Sequence, residues 1–126
     1  MELGRSKEEY LEAVYILSVK KGRTVRNVDL AEELNVKKSS VCRAVKLLEE
    51  LGYLTKGMDF SFCLTSKGKN LGERMYERHQ FWEELLRKAG VSECTTIKDA
   101  KEMKHMLTDE SFEKIKIYIN GLKQCV

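Results

Sequence analysis

The chain has 126 residues, of which 34% are charged, and a formal net charge of +3 at pH 7. This length suits one domain, or a small domain with a short extension, and can bury a core without disulfides or a structural metal. The sequence contains neither a bilayer-length apolar run of about 18 residues nor the apolar segment of a secretory signal. We therefore expect a soluble, cytoplasmic protein that has no membrane partner.

The cysteines and histidines exclude several classes of function. Cys42, Cys63, Cys94 and Cys125 form no C-x-x-C pair, which argues against a zinc knuckle, a redox motif or a disulfide framework, and we expect reduced, mostly half-buried thiols. The 2 histidines provide little acid–base apparatus, and no nucleophile elbow, phosphate loop or zinc-protease motif is present. The sequence therefore predicts that the protein is not an enzyme.

Three helices and a hairpin are predicted in the first half of the chain. Hydrophobic periodicity, with Gly22 and Gly52 as stops, gives their bounds: a helix over 6–20, a short helix capped by Asn27 and ending near Leu34, a helix over 37–51, and a hairpin over 53–65. In the hairpin, Phe60, Phe62 and Leu64 alternate with Ser61 and Cys63, while residues 57–59 provide the turn. The change of period from helical to alternating marks the start of the hairpin.

Three further helices are predicted after the hairpin. Ser66 is expected to cap a long helix through Ala89, which would span roughly 36 Å at the usual rise per residue. The other two run from Ile97 to about Leu107 and from Asp109 to about Leu122. The chain then divides into residues 1–70 and residues 71–126, and the fold class is mostly α.

The second and third predicted helices have the features of a helix-turn-helix. Ala31 is small where two helices must cross closely, and Asn35 stands where the turn needs a left-handed residue, a conformation that asparagine tolerates. The apolar residues expected to share a core are Leu30, Leu34, Val36, Val41 and Ala44. With the hairpin as a wing and L-T-S-K-G after it, this pattern predicts a winged helix-turn-helix.

Positive charge is concentrated on this motif, since no acidic residue occurs from Lys37 to Lys46. A recognition helix presents its N-terminal residues to base edges in the major groove, where Arg43 can bind guanine in bidentate fashion. The lysines and Arg26 are expected to contact phosphates, which position the protein without reading sequence. The predicted DNA-binding residues are Arg26, Lys37, Lys38, Ser39, Ser40, Arg43, Lys46 and Lys56. A solvated basic face on a protein-interaction module is the alternative interpretation.

Four segments carry a family resemblance: EEYLEAVYIL, DLAEELNVKKSSVCRAVKLLEELGYL, LTSKGKNLGERMYERHQFWEELL and MKHMLTDESFEKI. Through them nearly the whole chain resembles the diphtheria toxin repressor family of iron- and manganese-dependent repressors. The resemblance implies a winged helix-turn-helix followed by an all-helical dimerisation domain that binds a regulatory metal. The expected partners are a double-stranded DNA operator and a second copy of the chain. The chain is too short for the SH3-like third domain of larger members and is similar to the shorter, manganese-regulator type.

Apolar residues after the wing also favour a homodimer. They exceed what one thin layer of three helices is expected to bury alone, and a two-fold interface would cover the remainder. These residues are Phe81, Trp82, Leu85, Leu86, Met103, Met106, Leu107 and Phe112.

The resemblance implies a Mn²⁺ or Fe²⁺ site, and the sequence departs from the family at that site. The matching positions are Glu9, Glu12, His79, Glu83, Lys101, Lys104 and His105. Carboxylate and imidazole ligands suit these metals, but K-x-x-K-H stands here where the family has E-x-x-E-H. Deprotonating a lysine at pH 7 costs about 4.6 kcal/mol before any metal bond forms.

We hypothesise that the ammonium groups of Lys101 and Lys104 replace the metal. Their two positive charges balance the two negative charges of Glu9 and Glu12, so that the first helix is joined to the dimerisation domain permanently and DNA binding needs no metal. Two alternatives remain open. A remnant site of Glu9, His79, Glu83 and His105 would give an intact metal-dependent repressor, and loss of DNA binding would leave an interaction module. The cofactor is accordingly none, or a divalent transition metal.

Overall fold

The computed structural model describes the backbone of residues 4–124 and the side chains of residues 4–122. In chain order its elements are α1 (Arg5–Tyr15), a π-helical turn (Ile16–Lys20), α2 (Asn27–Leu34), α3 (Lys38–Glu50), β1 (Leu54–Lys56), β2 (Phe62–Leu64), α4 (Ser66–Lys88), α5 (Glu93–Met103) and α6 (Asp109–Gln124). Residues 4–76 form one compact unit, the N-terminal unit, and residues 77–124 form the C-terminal unit. The predicted mostly α fold with a small hairpin is confirmed.

The N-terminal unit packs its helices and hairpin around one hydrophobic core. α1 contacts α2 and α3, and α3 contacts β1. Among the fully buried side chains of this core are Leu11, Val14, Leu30, Val41 and Leu48. On α3 the buried residues recur with helical spacing, so the opposite face of that helix is left in solvent.

The turn between α2 and α3 has the predicted conformation. Asn35 ends α2 with φ 53° and ψ 52°, the left-handed region that asparagine tolerates. The cap at the start of α2 differs from the prediction, because the Asp29 carboxylate accepts a hydrogen bond from the backbone N–H of Arg26 at 2.8 Å. Val36, predicted to share the core, is 39% exposed, and Leu51, the last residue of the helix predicted over 37–51, is 43% exposed. Each lies just beyond the end of a helix, where helical periodicity no longer applies.

The wing is a short antiparallel hairpin. Leu54 pairs with Leu64, and Lys56 pairs with Phe62. Phe62 is buried and also forms a bridge with Val25. The prediction that Phe60 belongs to the alternating strand is wrong, because Phe60 stands in the turn at φ 63° and is 97% exposed.

The helix starts after the wing are set by side-chain caps. Thr65, not Ser66, caps α4, since its Oγ1 accepts a hydrogen bond from the N–H of Gly68 at 3.1 Å. α5 begins at Glu93, well before the predicted Ile97, because the Ser92 hydroxyl accepts a hydrogen bond from the N–H of Thr95 at 3.4 Å. It ends at Met103, before the predicted Leu107.

The core of the C-terminal unit is an aromatic cluster. Phe81, Trp82 and Phe112 meet in edge-to-face geometry, with ring centroids 5.0 to 6.2 Å apart, an arrangement that adds to the stabilisation from apolar burial. The guanidinium of Arg78 lies 4.9 Å from the ring centroid of Phe112. This side chain is buried, and its Nη1 donates to the carbonyl of Leu107 at 2.7 Å while Nη2 contacts Asp109 at 2.6 Å.

Several side chains are more exposed than the sequence predicts. Cys42, Cys63 and Cys94 are exposed free thiols rather than half-buried ones, and Cys125 lies outside the described residues. Apolar residues that stay exposed in the C-terminal unit are Ile97, Met106, Ile117, Tyr118 and Leu122. Of the helices between residues 4 and 124, none combines the length and hydrophobicity that spanning a membrane requires.

Candidate nucleic-acid interface

The solvent face of α3 carries the predicted DNA-binding residues. Lys37 caps the helix with its backbone, and Lys38, Ser39, Ser40, Arg43 and Lys46 follow along it, all of them exposed. No side chain caps the N-terminus of α3, so the first backbone N–H groups and the positive end of the helix dipole are available to an anion. The packing of Val41, Val45 and Leu48 into the core holds this face outward.

The remaining two predicted residues, Arg26 and Lys56, flank the wing. Both are exposed, Arg26 just before α2 and Lys56 at the end of β1. The Nε of Arg26 donates to the backbone carbonyl of Asp59 at 2.8 Å. This hydrogen bond joins residues far apart in sequence and ties the tip of the wing to the start of α2.

A cleft of about 420 Å³ separates α3 from the wing. It is lined from the α3 side by Cys42, Lys46 and Glu49, and from the wing side by Lys56 and Phe60. The helix face and the wing tip are therefore two walls of one open groove. Sequence reasoning missed Phe60 as part of this surface because its alternation with Phe62 suggested a strand position.

The residues predicted from the resemblance to be metal ligands are divided between the two units. Glu9 and Glu12 are on α1, half-buried and buried respectively. On α4, the Nε2 of His79 lies 2.8 Å from Oε2 of Glu83. Lys101 is exposed in the last turn of α5, Lys104 caps its C-terminus and is buried, and His105 follows half-buried. The helix predicted from Ile97 to about Leu107 would have placed these lysines near its middle, whereas they stand at the C-terminal end of α5.

Carboxylates near His79 in the C-terminal unit pair with a cation. The second carboxylate oxygen of Glu83 faces Arg87 at 3.4 Å, and Arg87 also pairs with Glu93 at 2.8 Å. The hydrogen bond to Glu93 raises the pKa of Arg87, and the same bond lowers the pKa of Glu93. Within residues 4–122, no three or more His, Cys, Asp or Glu side chains are grouped so that they hold a metal ion. Glu83, one of the predicted ligands, is therefore bonded to both His79 and Arg87.

One polar atom of this region has no partner. The Nδ1 of His79 is buried and makes no hydrogen bond, although Nε2 of the same ring is bonded to Glu83. In the sequence, His79 has the helical spacing of an apolar stripe with Met75 and Trp82. The buried residue between those two is Arg78, and His79 keeps part of its side chain in solvent.

Two family profiles match the chain. The iron dependent repressor N-terminal DNA binding domain matches residues 2–57, and the iron dependent repressor metal binding and dimerisation domain matches residues 65–126. Together they cover nearly all of the chain, and the second profile begins at the cap of α4.

Individual relatives agree with these profiles. An uncharacterized HTH-type transcriptional regulator of Methanocaldococcus jannaschii is 31% identical over 98% of this chain and 100% of its own length. The HTH-type transcriptional regulator MntR of Lysinibacillus sphaericus is 37% identical over 87% of this chain and 78% of its own. The solved structure of the manganese regulator SloR has a TM-score of 0.78 and 26% identity, covering 90% of this chain but 53% of SloR. The chain thus spans about half of the SloR chain, and it belongs to the iron-dependent repressor family of transcriptional regulators.

Proposed function

We propose that this protein binds double-stranded DNA as a homodimer and regulates transcription without requiring a divalent metal. The observation that carries the DNA-binding part is the solvent face of α3, whose exposed residues from Lys37 to Lys46 include basic and hydroxyl side chains and no acid. The exposed apolar residues of the C-terminal unit, Tyr118 and Leu122 among them, support association through that unit, because two-fold contacts bury such surface.

Arg43 is expected to read bases, whereas the lysines are expected to contact phosphates. Replacing Arg43 with alanine should lower affinity for a selected duplex by about tenfold or more and relax base preference, since a bidentate arginine–guanine contact contributes about 1–3 kcal/mol of discrimination. The measurement is fluorescence anisotropy with duplexes that the wild-type protein selects from a random pool. Lys88→Ala is the matched control, because Lys88 is an exposed cation on α4 that pairs with Glu84.

Salt dependence separates this function from a protein-interaction module. A protein that neutralises about 6–10 phosphates loses about 10³–10⁵ in affinity between roughly 50 and 200 mM salt. Absence of salt-dependent duplex binding by the wild-type protein would contradict the DNA-binding proposal. An Arg43→Ala protein that keeps wild-type affinity and base preference would contradict the role given to Arg43.

The metal-independence part rests on charge. The resemblance predicts that Lys101 and Lys104 replace two family carboxylates, and both lysines stand at the C-terminal end of α5. The negative end of a helix dipole attracts an ammonium group there, and neither lysine offers the carboxylate oxygens that Mn²⁺ or Fe²⁺ prefers. We therefore infer that a permanent positive charge on the chain replaces the charge of a regulatory metal ion.

We expect DNA affinity to be the same, within about twofold, in chelator and in added Mn²⁺ or Fe²⁺, because a protonated lysine repels a divalent cation. The measurement is the anisotropy titration above, performed with and without each metal. A rise in affinity of about tenfold or more with metal, equivalent to about 1.4 kcal/mol, would contradict metal independence.

The double substitution Lys101→Glu with Lys104→Glu tests the same charges in reverse. It should create metal-dependent DNA binding and a calorimetric Mn²⁺ signal, since it restores two carboxylate ligands. Lys98→Glu with Lys114→Glu is the control, because both lysines are exposed in the C-terminal unit and the change in net charge is identical. An equal response to chelator in the two double variants would count against the assignment.

A further inference from the structure

We propose that Phe60, at the tip of the wing, is an apolar wedge that enters the minor groove of bound DNA and unstacks a base step. This inference rests on the proposed DNA binding and adds a second reading element to α3. The sequence predicted no aromatic residue in the interface, since all eight predicted residues have basic or hydroxyl side chains.

The tip of the wing presents two large apolar side chains to water. Phe60 is 97% exposed and Met58 is 82% exposed. Phe60 also has φ 63°, and the preceding Asp59 has φ 54°. A bulky side chain in the left-handed region is rare, because its Cβ crowds the following carbonyl. An exposed aromatic ring on a strained backbone adds nothing to the stability of the fold. Such strain is concentrated at binding sites.

The wing holds this tip in one geometry. The N–H of Gly57 donates to the carbonyl of Ser61 at 2.9 Å, and the hydroxyl of Ser61 donates to the carbonyl of Met58. Below the tip, the N–H of Phe62 donates to the carbonyl of Val25 at 3.0 Å. The side chain of Arg26 also donates a hydrogen bond to the carbonyl of Asp59. A wedge must be rigid in order to part stacked bases, and these bonds restrain both ends of the turn.

The ring also stands at the edge of the candidate interface. Phe60 and Lys56 line the wing side of the cleft whose other wall carries Lys46 of α3. Three cations therefore lie around the tip, namely Arg26, Lys46 and Lys56, compared with two acids, Glu49 and Asp59. The phosphates of a DNA strand that follows the groove would contact lysines on both walls. The ring of Phe60 would then reach the base edges. Duplex DNA is the occupant that matches this charge and this continuity with α3.

Insertion of a phenylalanine or a methionine between base pairs is an established way to kink a duplex toward the major groove. Its energetic cost depends on the sequence, because TA and CA/TG steps unstack most easily. The wing would then contribute specificity for flexible steps beside the base pairs that α3 contacts. No charge is neutralised by such a contact, so it leaves the salt dependence of binding unchanged.

The test combines Phe60→Gly with Phe60→Leu in the full chain. Phe60→Gly removes the ring and also the left-handed strain, so its melting temperature should equal or exceed that of the wild type. Its affinity for wild-type-selected duplexes should nevertheless fall about tenfold, as for other base–aromatic contacts, with the same slope against log salt. Phe60→Leu, which keeps an apolar wedge, should retain most of the affinity. A 2-aminopurine probe moved along the duplex should brighten at one step with the wild type and not with Phe60→Gly.

Lys56→Ala provides the contrasting control. Loss of a phosphate contact there should change the slope of log affinity against log salt by about 0.9 while leaving the 2-aminopurine signal intact. The wedge is overturned if Phe60→Gly binds within about twofold of the wild type, if its loss of affinity comes with a change of slope near 0.9, or if no probe position brightens. Failure of the wild-type protein to bind any duplex would instead reject the proposed function itself.

Discussion

Replacing Gly68 with alanine is expected to lower the free energy of unfolding of the N-terminal unit by about 3 kcal/mol or more. A Cβ on Gly68 would overlap the backbone carbonyl oxygen of Tyr53 and lie 3.0 Å from its carbonyl carbon. Neither atom belongs to a flexible side chain, and the same carbonyl accepts the N–H of Thr65 at 3.1 Å. The first turn of α4 and the start of the wing would therefore have to separate. Urea denaturation followed by far-ultraviolet circular dichroism measures the loss.

Gly121→Ala is the matched control for this prediction. Gly121 is also helical, in α6, and a Cβ added there meets nothing within 4 Å. The substitution should stabilise the helix by about 0.5–1 kcal/mol, because glycine loses more backbone freedom than alanine on folding. If Gly68→Ala behaved like Gly121→Ala, the close approach at Tyr53 would be refuted.

The second large effect is expected at Arg78, where substitution by methionine should cost the C-terminal unit about 2–4 kcal/mol. The guanidinium is 2% exposed and donates to the carbonyl of Leu107, which follows the end of α5, and to the Asp109 carboxylate, which begins α6. It also packs on the ring of Phe112. Methionine keeps most of the apolar volume but leaves a carbonyl without its donor. The partner carboxylate is 49% exposed, which lowers the expected cost of losing the ion pair.

Trp82 makes this effect measurable by fluorescence, since it is the chain's 1 tryptophan and belongs to the core that Arg78 supports. The control is Arg87→Met, the same substitution on the same helix at a side chain that is 46% exposed. Exposed ion pairs contribute little to stability, so its denaturation midpoint should barely move. Equal midpoints for the two variants would mean that Arg78 does not hold the α5–α6 connection.

Most of the fold could be predicted from the sequence because its signals are local. The glycines that end helices, the asparagine of the helix-turn-helix and the buried Val41 of α3 all appear as expected. The start of α5 could not be predicted in this way, because the residue that its first turns bury is Thr96. This threonine is fully buried and donates to the carbonyl of Val91 at 3.3 Å. Hydrophobic periodicity does not register a threonine. The Ser92 cap was the available signal, and no glutamate follows it at the third helical position to complete a capping box.

For the candidate interface, charge in the sequence predicted the basic residues and nothing else. The basic residues of α3 were identified because a helix with one apolar stripe must expose the opposite face. Phe60 was missed because alternation with Phe62 is the pattern of a strand, and a left-handed phenylalanine contradicts the preference of the residue. Arg78 was missed for the opposite reason, since a basic side chain is ordinarily placed in solvent. Its spacing between Met75 and Trp82 was the signal that could have identified it.

The bridge between Val25 and Phe62 bears on how copies of this chain can associate. Because this bridge already bonds the outer edge of β2, few backbone N–H and C=O groups are left there to pair with a strand from another copy. The other strand, β1, is 3 residues long, and its Thr55 and Lys56 are exposed. Short, charged and covered edges resist edge-to-edge aggregation. The hairpin can therefore extend a strained, apolar tip into water while the protein remains protected from uncontrolled polymerisation through its sheet.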